Sequence, residues 1–340
     1  MRPLILFDPY PRPLDLIFTP KTRQRLEALG KVIWHDGAAP ADPAQIDRHL
    51  PDATILIGQS PLPKERLDRA PNLRAIFNVE SNFLPNVDYA ECHRRGIHVA
   101  ATGPVFAIPV AEMALGLALS CARRIPQADA AIRNGTETLY GEGDNHDSIL
   151  LSGRPLALIG CGNLGRALLP LLKPFGGEIL IHDPWIHPTV LREMGAVPVS
   201  LEEAFTRAAV VFILAATTTE NQGAIDRRHF SVMKPGSIVV LISRASVVVF
   251  DDLLDAAASG RIRAAIDVWP DEPIPPDHRA RHTPNTVLQA HRAGNIPEIW
   301  PEMGERVTDD CELVLRGLPP QRCQRAVLET VTRLRSKPVG

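Results

Sequence analysis

The 340-residue sequence predicts an α/β fold of two parallel-sheet domains, Rossmann-like and flavodoxin-like, separated by a cleft. Three observations predict it. Short apolar β-like runs alternate with longer helical stretches, the pattern of layered parallel sheets. The length suits about two domains of about 100–200 residues each. A glycine-rich turn in LALIGCGNLG, residues 156–165, opens a second α/β series in mid-chain.

Composition narrows the class. Apolar residues make up 45% and charged residues 22% of the chain, the mix of an ordinary soluble globular protein. Net charge is −2 and no basic run occurs, so neither a nucleic acid nor a membrane is expected as partner. No apolar stretch is read as approaching the roughly 18 residues a membrane span requires. Asp8 and three prolines come too early for a signal peptide. Cys92, Cys121, Cys161, Cys311 and Cys323 are scattered, without CxxC spacing. That pattern predicts reduced thiols in a cytoplasmic protein and no metal site.

Taken in order, LILF (4–7) reads as a strand, and KTRQRLEALG (21–30) as a helix ending at Gly30. Between them, DPYPRPLDLIFTP reads as a connection of about a dozen residues, against a usual two to six. KVIW, ATILIG, LRAIFNV and HRRGIHVAAT supply further strands. PVAEMALGLALSCARRI (109–125) predicts a long helix with Pro109 at its start, where a missing N–H costs little. It is apolar nearly all round, so it should be buried between layers or subunits. A Gly- and Asp-rich loop (134–148) follows. LALIG, EILIHD, VVFILA, SIVVLIS and AAIDVW are nearly continuous apolar runs, as in a sheet covered on both faces. From Ile296 onward the chain reads as charged helix returning to pack on the first domain.

Gly160, Gly162 and Gly165 fit G-x-G-x-x-G between a strand and a helix. The first glycine allows the tight turn, the second lets backbone approach a pyrophosphate, and the third lets helix and strand pack closely. Asn163 and Leu164 open the helix, whose free N–H groups suit phosphate. Asp183 ends the next strand, where a carboxylate accepts the ribose hydroxyls and repels a 2′-phosphate. The expected cofactor is therefore NAD rather than NADP. Glycine turns with an acidic strand end also occur in S-adenosylmethionine enzymes, so the chemistry rests on residues further along the chain.

Three later strands deliver polar side chains to the carboxyl edge: Arg244 from SIVVLISRAS, Asp267 and Glu272 from AAIDVWPDEP, and His291 from VLQAHRAGN. Reduction of a 2-oxo acid calls for a fixed cation on the carboxylate and a proton donor at the carbonyl. Arginine supplies a permanent charge and a bidentate fork. Histidine titrates near working pH. A neighbouring carboxylate stabilises and orients the imidazolium.

With these residues the chain resembles the D-isomer-specific 2-hydroxyacid dehydrogenase family, from about Phe77 to Gly294 and less clearly beyond. The resemblance implies that Arg244 binds substrate, that His291 is the acid/base, and that Glu272 is its partner. It implies that Asp267 lies near the nicotinamide. Val110, Ala111 and Glu112 resemble the VAE segment that opens the family's interdomain helix. It also implies a discontinuous substrate domain, 1–102 plus 293–340, around an NAD-binding domain at 103–292, and a homodimer formed through the latter.

Departures concentrate in NVESNFLPNVD (78–88), which aligns with a glycine-rich segment whose N–H groups hold the substrate carboxylate. Ser81 and Asn82 are expected there as substrate contacts, with Glu80 and Phe83 re-dressing the pocket. Ala245 and Ala290 replace a customary glycine and proline. Tyr10 and Arg12, in the long connection, are placed where they could reach the substrate's distal end. Arg292 reads either as a second cation for a distal anion or as a solvent-facing ion-pair residue. Trp300 reads as packing rather than substrate contact. The reaction expected is NAD-dependent hydride transfer at C2 of a 2-oxo or 2-hydroxy acid, one with an additional polar or anionic group. Rival readings are a dehydrogenase of phosphonates or phosphorus oxyacids, and a non-catalytic NAD(H)-sensing regulator.

Overall fold

The computed structural model describes residues 2–137 and 148–335, so most of the loop expected at 134–148 lies outside the described residues. The chain divides into two compact units, Met1–Phe106 with Ile296–Gly340, and Ala107–Asn295. The divisions fall a few residues past those expected at 102 and 292. Local bonding explains both. Gly103–Phe106 forms a 3₁₀ turn that buries Val105 in the first unit's core. Arg292 and Ala293 are held back in the second unit by N–H bonds to Asp267.

The first unit contains β1 (Leu4–Asp8), β2 (Lys31–Ile33), β3 (Ala53–Gly58), β4 (Ala75–Asn78) and β5 (His98–Ala101). Its sheet runs β2-β1-β3-β4-β5, all parallel, and ends on an antiparallel strand from the C-terminal region, Gln324–Arg325. Side chains alternate across this sheet as the pleat requires. Ile5, Phe7, Ile55, Ile57 and Phe77 pack with Phe18, Met303, Val307 and Cys311 on one face. Leu4, Leu6, Leu56 and Ile76 pack with Leu50, Leu62 and Leu67 on the other.

Two expectations are corrected here. The connection after β1 is not wholly irregular, because Leu14–Ile17 forms a helical turn that buries Ile17. The C-terminal region is not all helix. Helix Ile299–Leu315 is followed by that edge strand and a short turn of helix, Leu328–Val331. Buried Asp310 folds the tail back by accepting the N–H groups of Gln321, Arg322 and Cys323.

In the second unit the strands are β6 (Leu156–Ile159), β7 (Ile179–His182), β8 (Val197–Pro198), β9 (Val210–Ile213), β10 (Ser237–Leu241), β11 (Ile262–Ile266) and β12 (Thr286–Leu288); Gln324–Arg325 is thus β13. Their order is β8-β7-β6-β9-β10-β11-β12, all parallel. The winding reverses between β6 and β9, the topological switch point where ligands bind in such sheets.

Helix Ala107–Arg123 packs on β10, β11 and helix Asn163–Leu172. It starts two residues before Pro109, which still falls in the first turn, where N–H groups lack helical partners. Arg263, buried on β11, donates to the carbonyls of Cys121 and Ala122 and so closes the helix's far end. The run Gly103–Arg123 also corrects the sequence reading on membrane spans. At 21 residues it is long and apolar enough to cross a bilayer by length and composition, since Glu112 interrupts it only once. Half of its most apolar 18-residue window is buried inside the protein.

Candidate active site

The glycine turn sits directly after β6, at the switch point. Gly160 has φ +93°, and a Cβ there would lie 2.8 Å from the backbone of Ala215. A Cβ on Gly165 would lie 2.7 Å from the Gly160 carbonyl oxygen. A Cβ on Gly162 would meet nothing within 4 Å, so the turn's outer side is open to a ligand lying against backbone. Helix Asn163–Leu172 begins there with Gly162 as N-cap and no side-chain cap bond, so the helix's positive end lies at the turn.

Asp183 follows β7 and faces the same turn. Its Oδ2 accepts the Cys161 N–H at 2.7 Å and its Oδ1 the Trp185 N–H at 2.9 Å. Lone pairs remain on both oxygens for ribose hydroxyls. These residues fit a dinucleotide. Cys161 is fully buried and burial pushes its thiol pKa up, which suits a space-filling role.

Strands β10, β11 and β12 are neighbours, and each ends next to a candidate residue. Arg244 lies just past β10, with Nη1 donating to the Ser243 carbonyl at 2.7 Å. Past β12, His291 adopts a left-handed backbone, φ +51°, uncommon for a residue with a Cβ. Its Nδ1 lies 2.7 Å from Glu272 Oε2. The other carboxylate oxygen, Oε1, accepts the Trp269 N–H at 3.0 Å, and Trp269 Nε1 donates to the Gln289 carbonyl at 2.8 Å. Glu272 is thereby fixed before it meets the ring. With Nδ1 engaged, Nε2 is the ring nitrogen left for a further partner.

Asp267, directly after β11, is fully buried. Its carboxylate accepts the N–H groups of Arg292 at 2.9 Å and Ala293 at 3.3 Å. Burial pushes its pKa up, against the pull of those two donors. The family resemblance sets Asp267 beside the nicotinamide; the structure engages its carboxylate on the histidine loop.

The remaining predicted contacts belong to the first unit, apart from Arg292, whose side chain is exposed. Asn82 donates to the Ser81 hydroxyl at 3.2 Å. Tyr10 is 41% exposed. Arg12 departs from expectation: Nη2 lies 3.2 and 3.3 Å from the two oxygens of buried Glu80, and the guanidinium stands 5.1 Å over the Trp300 ring. Its charge is already neutralised within its own unit. Trp300 also packs edge-on against Phe106. Sequence reasoning missed this Arg12–Glu80–Trp300 stack and the tie from Trp269 to Gln289, since both join residues remote in the chain. Among the described residues no cluster suited to a metal ion occurs.

A histidine with one nitrogen held by a carboxylate can give or take a proton, but reduction of a carbonyl also needs a hydride. The glycine turn on the same sheet fits the pyrophosphate of a dinucleotide hydride carrier. Together they define an NAD-dependent oxidoreductase that transfers hydride between nicotinamide and C2 of a 2-oxo or 2-hydroxy acid. Residues 115–293 match the family described as D-isomer specific 2-hydroxyacid dehydrogenase, NAD binding domain, and the chain belongs to that family.

A glyoxylate reductase of Korarchaeum cryptofilum is 30% identical over 87% of this chain and 90% of its own length. A D-3-phosphoglycerate dehydrogenase of Methanocaldococcus jannaschii is 29% identical over 79% of this chain and 51% of its own. The crystal structure of a phosphoglycerate oxidoreductase from Rhizobium etli superposes with a TM-score of 0.86 at 44% identity, covering 97% of this chain and all of that one. None of these names favours the phosphorus-oxyacid or regulator readings.

Proposed function

We propose that His291 is the acid/base, Glu272 its ion-pair partner and Arg244 the cation that binds the substrate carboxylate. The observation that carries this is the 2.7 Å contact between His291 Nδ1 and Glu272, on a loop beside the strand end that bears Arg244. Bound at the glycine turn, NAD(H) supplies or accepts the hydride. In reduction, Arg244 holds the carboxylate and protonated His291 donates from Nε2 to the carbonyl oxygen. In oxidation, neutral His291 takes the hydroxyl proton. Glu272 favours the protonated ring and holds its plane.

Asp183 supports NAD over NADP, because a carboxylate at that strand end repels a 2′-phosphate. The substrate we favour carries a polar or anionic group beyond the 2-oxo acid. Exposed Arg292, next to His291, supports this, as do the names of the phosphoglycerate-acting relatives. Arg12 supports it less, being compensated by Glu80.

A homodimer through the second unit accounts for the apolar side chains left exposed there. Helix Ile125–Asn134 buries none of its residues, and Ile108, Ile132 and Leu150 are each about two-thirds exposed. Five buried free cysteines accord with a cytoplasmic setting.

The test is NADH and NADPH consumption across 2-oxo acids graded in size and charge, with Arg292→Ala beside wild type. The reading expects NADH to be preferred, short aliphatic acids to be poor by kcat/KM, and the variant to lose most on the anionic substrates. Equal efficiency with both cofactors would overturn the first expectation. Pyruvate matching every dianion would overturn the second, and an unchanged substrate ratio in Arg292→Ala the third.

A further inference from the structure

We propose that Asp267 is the positioning residue of the acid/base histidine, clamping the 291–293 loop so that the imidazole meets Glu272. The inference rests on the reading of His291 as acid/base.

Asp267 is itself anchored, its N–H donating to the Leu241 carbonyl at the end of β10 at 3.0 Å. Its own carbonyl accepts the His291 N–H at 2.7 Å. One carboxylate oxygen takes the N–H of Arg292 and the other that of Ala293. A single residue therefore receives three successive backbone donors, beginning at the one with φ +51°. Successive N–H groups pointing one way form a concavity that selects an anion. Left unpaired and buried, they would be unfavourable, and the loop would relax toward water.

An amide at this position could accept from only one of the two side-chain partners. Its NH₂ would face a second N–H, donor against donor. The carboxylate is the one side chain of this size that satisfies both, and the two donors in turn offset its burial. Through the left-handed turn the clamp fixes where the His291 Cβ points, hence which ring nitrogen faces Glu272. Nothing in this chain of contacts requires Asp267 to touch the cofactor.

The test compares wild type, Asp267→Asn, Asp267→Ala and Glu272→Gln in the full chain. It reads amide hydrogen exchange at residues 292 and 293, NADH affinity by fluorescence, and kcat and KM on a 2-oxo acid. Thermal melts confirm that each variant is folded; the nearly isosteric asparagine serves if the alanine is not. Asp267→Ala should speed exchange at both amides by about tenfold or more, as buried hydrogen bonds open. It should lower kcat by at least about tenfold with NADH affinity within about twofold, because misplacing a reacting group by an ångström costs rate rather than binding. Asp267→Asn should deprotect one of the two amides and fall between. Glu272→Gln should alter the pH profile without changing exchange.

Unchanged exchange at 292 and 293 in Asp267→Ala, with NADH affinity collapsed, would overturn the clamp and place the carboxylate on the cofactor. Wild type inert toward 2-oxo acids, with exchange responding as described, would overturn the acid/base reading and leave the clamp supported.

Discussion

At the level of single residues, function concentrates in a few contacts whose loss should be separable. His291→Ala should remove most turnover, about 10²–10⁴-fold, since general acid–base catalysis contributes that much. NADH should still bind to it, because the glycine turn is untouched; single-turnover kinetics and fluorescence titration check both. Glu272→Gln should lower kcat while NADH affinity holds, because it weakens the contact 2.7 Å from the ring; steady-state kinetics check it. Arg12 behaves differently from what its residue type suggests. It is engaged by Glu80 and Trp300, so Arg12→Ala takes a guanidinium away from a buried carboxylate. Losing one partner of a fully buried pair costs about 3–5 kcal/mol, and the partial exposure of Arg12 reduces this. The expected outcome in urea melts is clear destabilisation, largely relieved in the Arg12→Ala, Glu80→Ala double variant. The arginine's chemistry was legible in sequence; its partner, 68 residues away, was not.

Elements carry the cofactor turn and the strand ends, and these were the most legible features. Glycine spacing, an acidic strand end and apolar runs are local signals, readable without knowing what packs against them. Within the turn, Gly165→Ala should weaken NADH binding by at least about tenfold, or ~1.4 kcal/mol. Its Cβ would lie 2.7 Å from the Gly160 carbonyl oxygen, a backbone atom, so the turn itself would have to shift. Asp183→Asn should relax rejection of NADP while keeping an oxygen for one N–H, so comparing kcat/KM for both cofactors reports the charge itself. What escaped the sequence were short or non-periodic pieces. Strands β8 and β13 have two residues each, and turn Leu14–Ile17 has four. A window that small carries no period.

Strand β5 offers a test by pH. It opens at His98, where burial, Arg325 and Arg74 hold the imidazole pKa below its usual value. The unfolded chain then takes up the proton first, so stability is full above about pH 6.5 and declines as pH falls through that value. Melting temperature between pH 7.5 and 5.5 should fall less in His98→Gln than in wild type.

For the whole molecule, the alternation of strands and helices announced two α/β units, and a second winding series placed the nucleotide-type sheet correctly. The unit boundaries were displaced because hydrogen bonds, not composition, decide them: Arg292 and Ala293 look like the start of a new segment and are tethered to Asp267. The interrupted first unit also has a consequence in time. Residues 2–106 leave the ribosome with Ile5, Phe7 and Phe77 facing a helix, Ile299–Leu315, that has yet to be translated. At about 5–20 residues per second that wait lasts roughly 10–40 s. Meanwhile Ala107–Asn295 is contiguous and meets all its own strand partners as it emerges. Chains stalled once Asn295 has cleared the exit tunnel should therefore yield a protease-resistant fragment from the middle of the sequence and none from its beginning. Resistance at the beginning would show that the five leading strands close without their late-arriving cover. The segment made first would be the last to finish folding, and for that interval its apolar sheet face is a natural target for a chaperone.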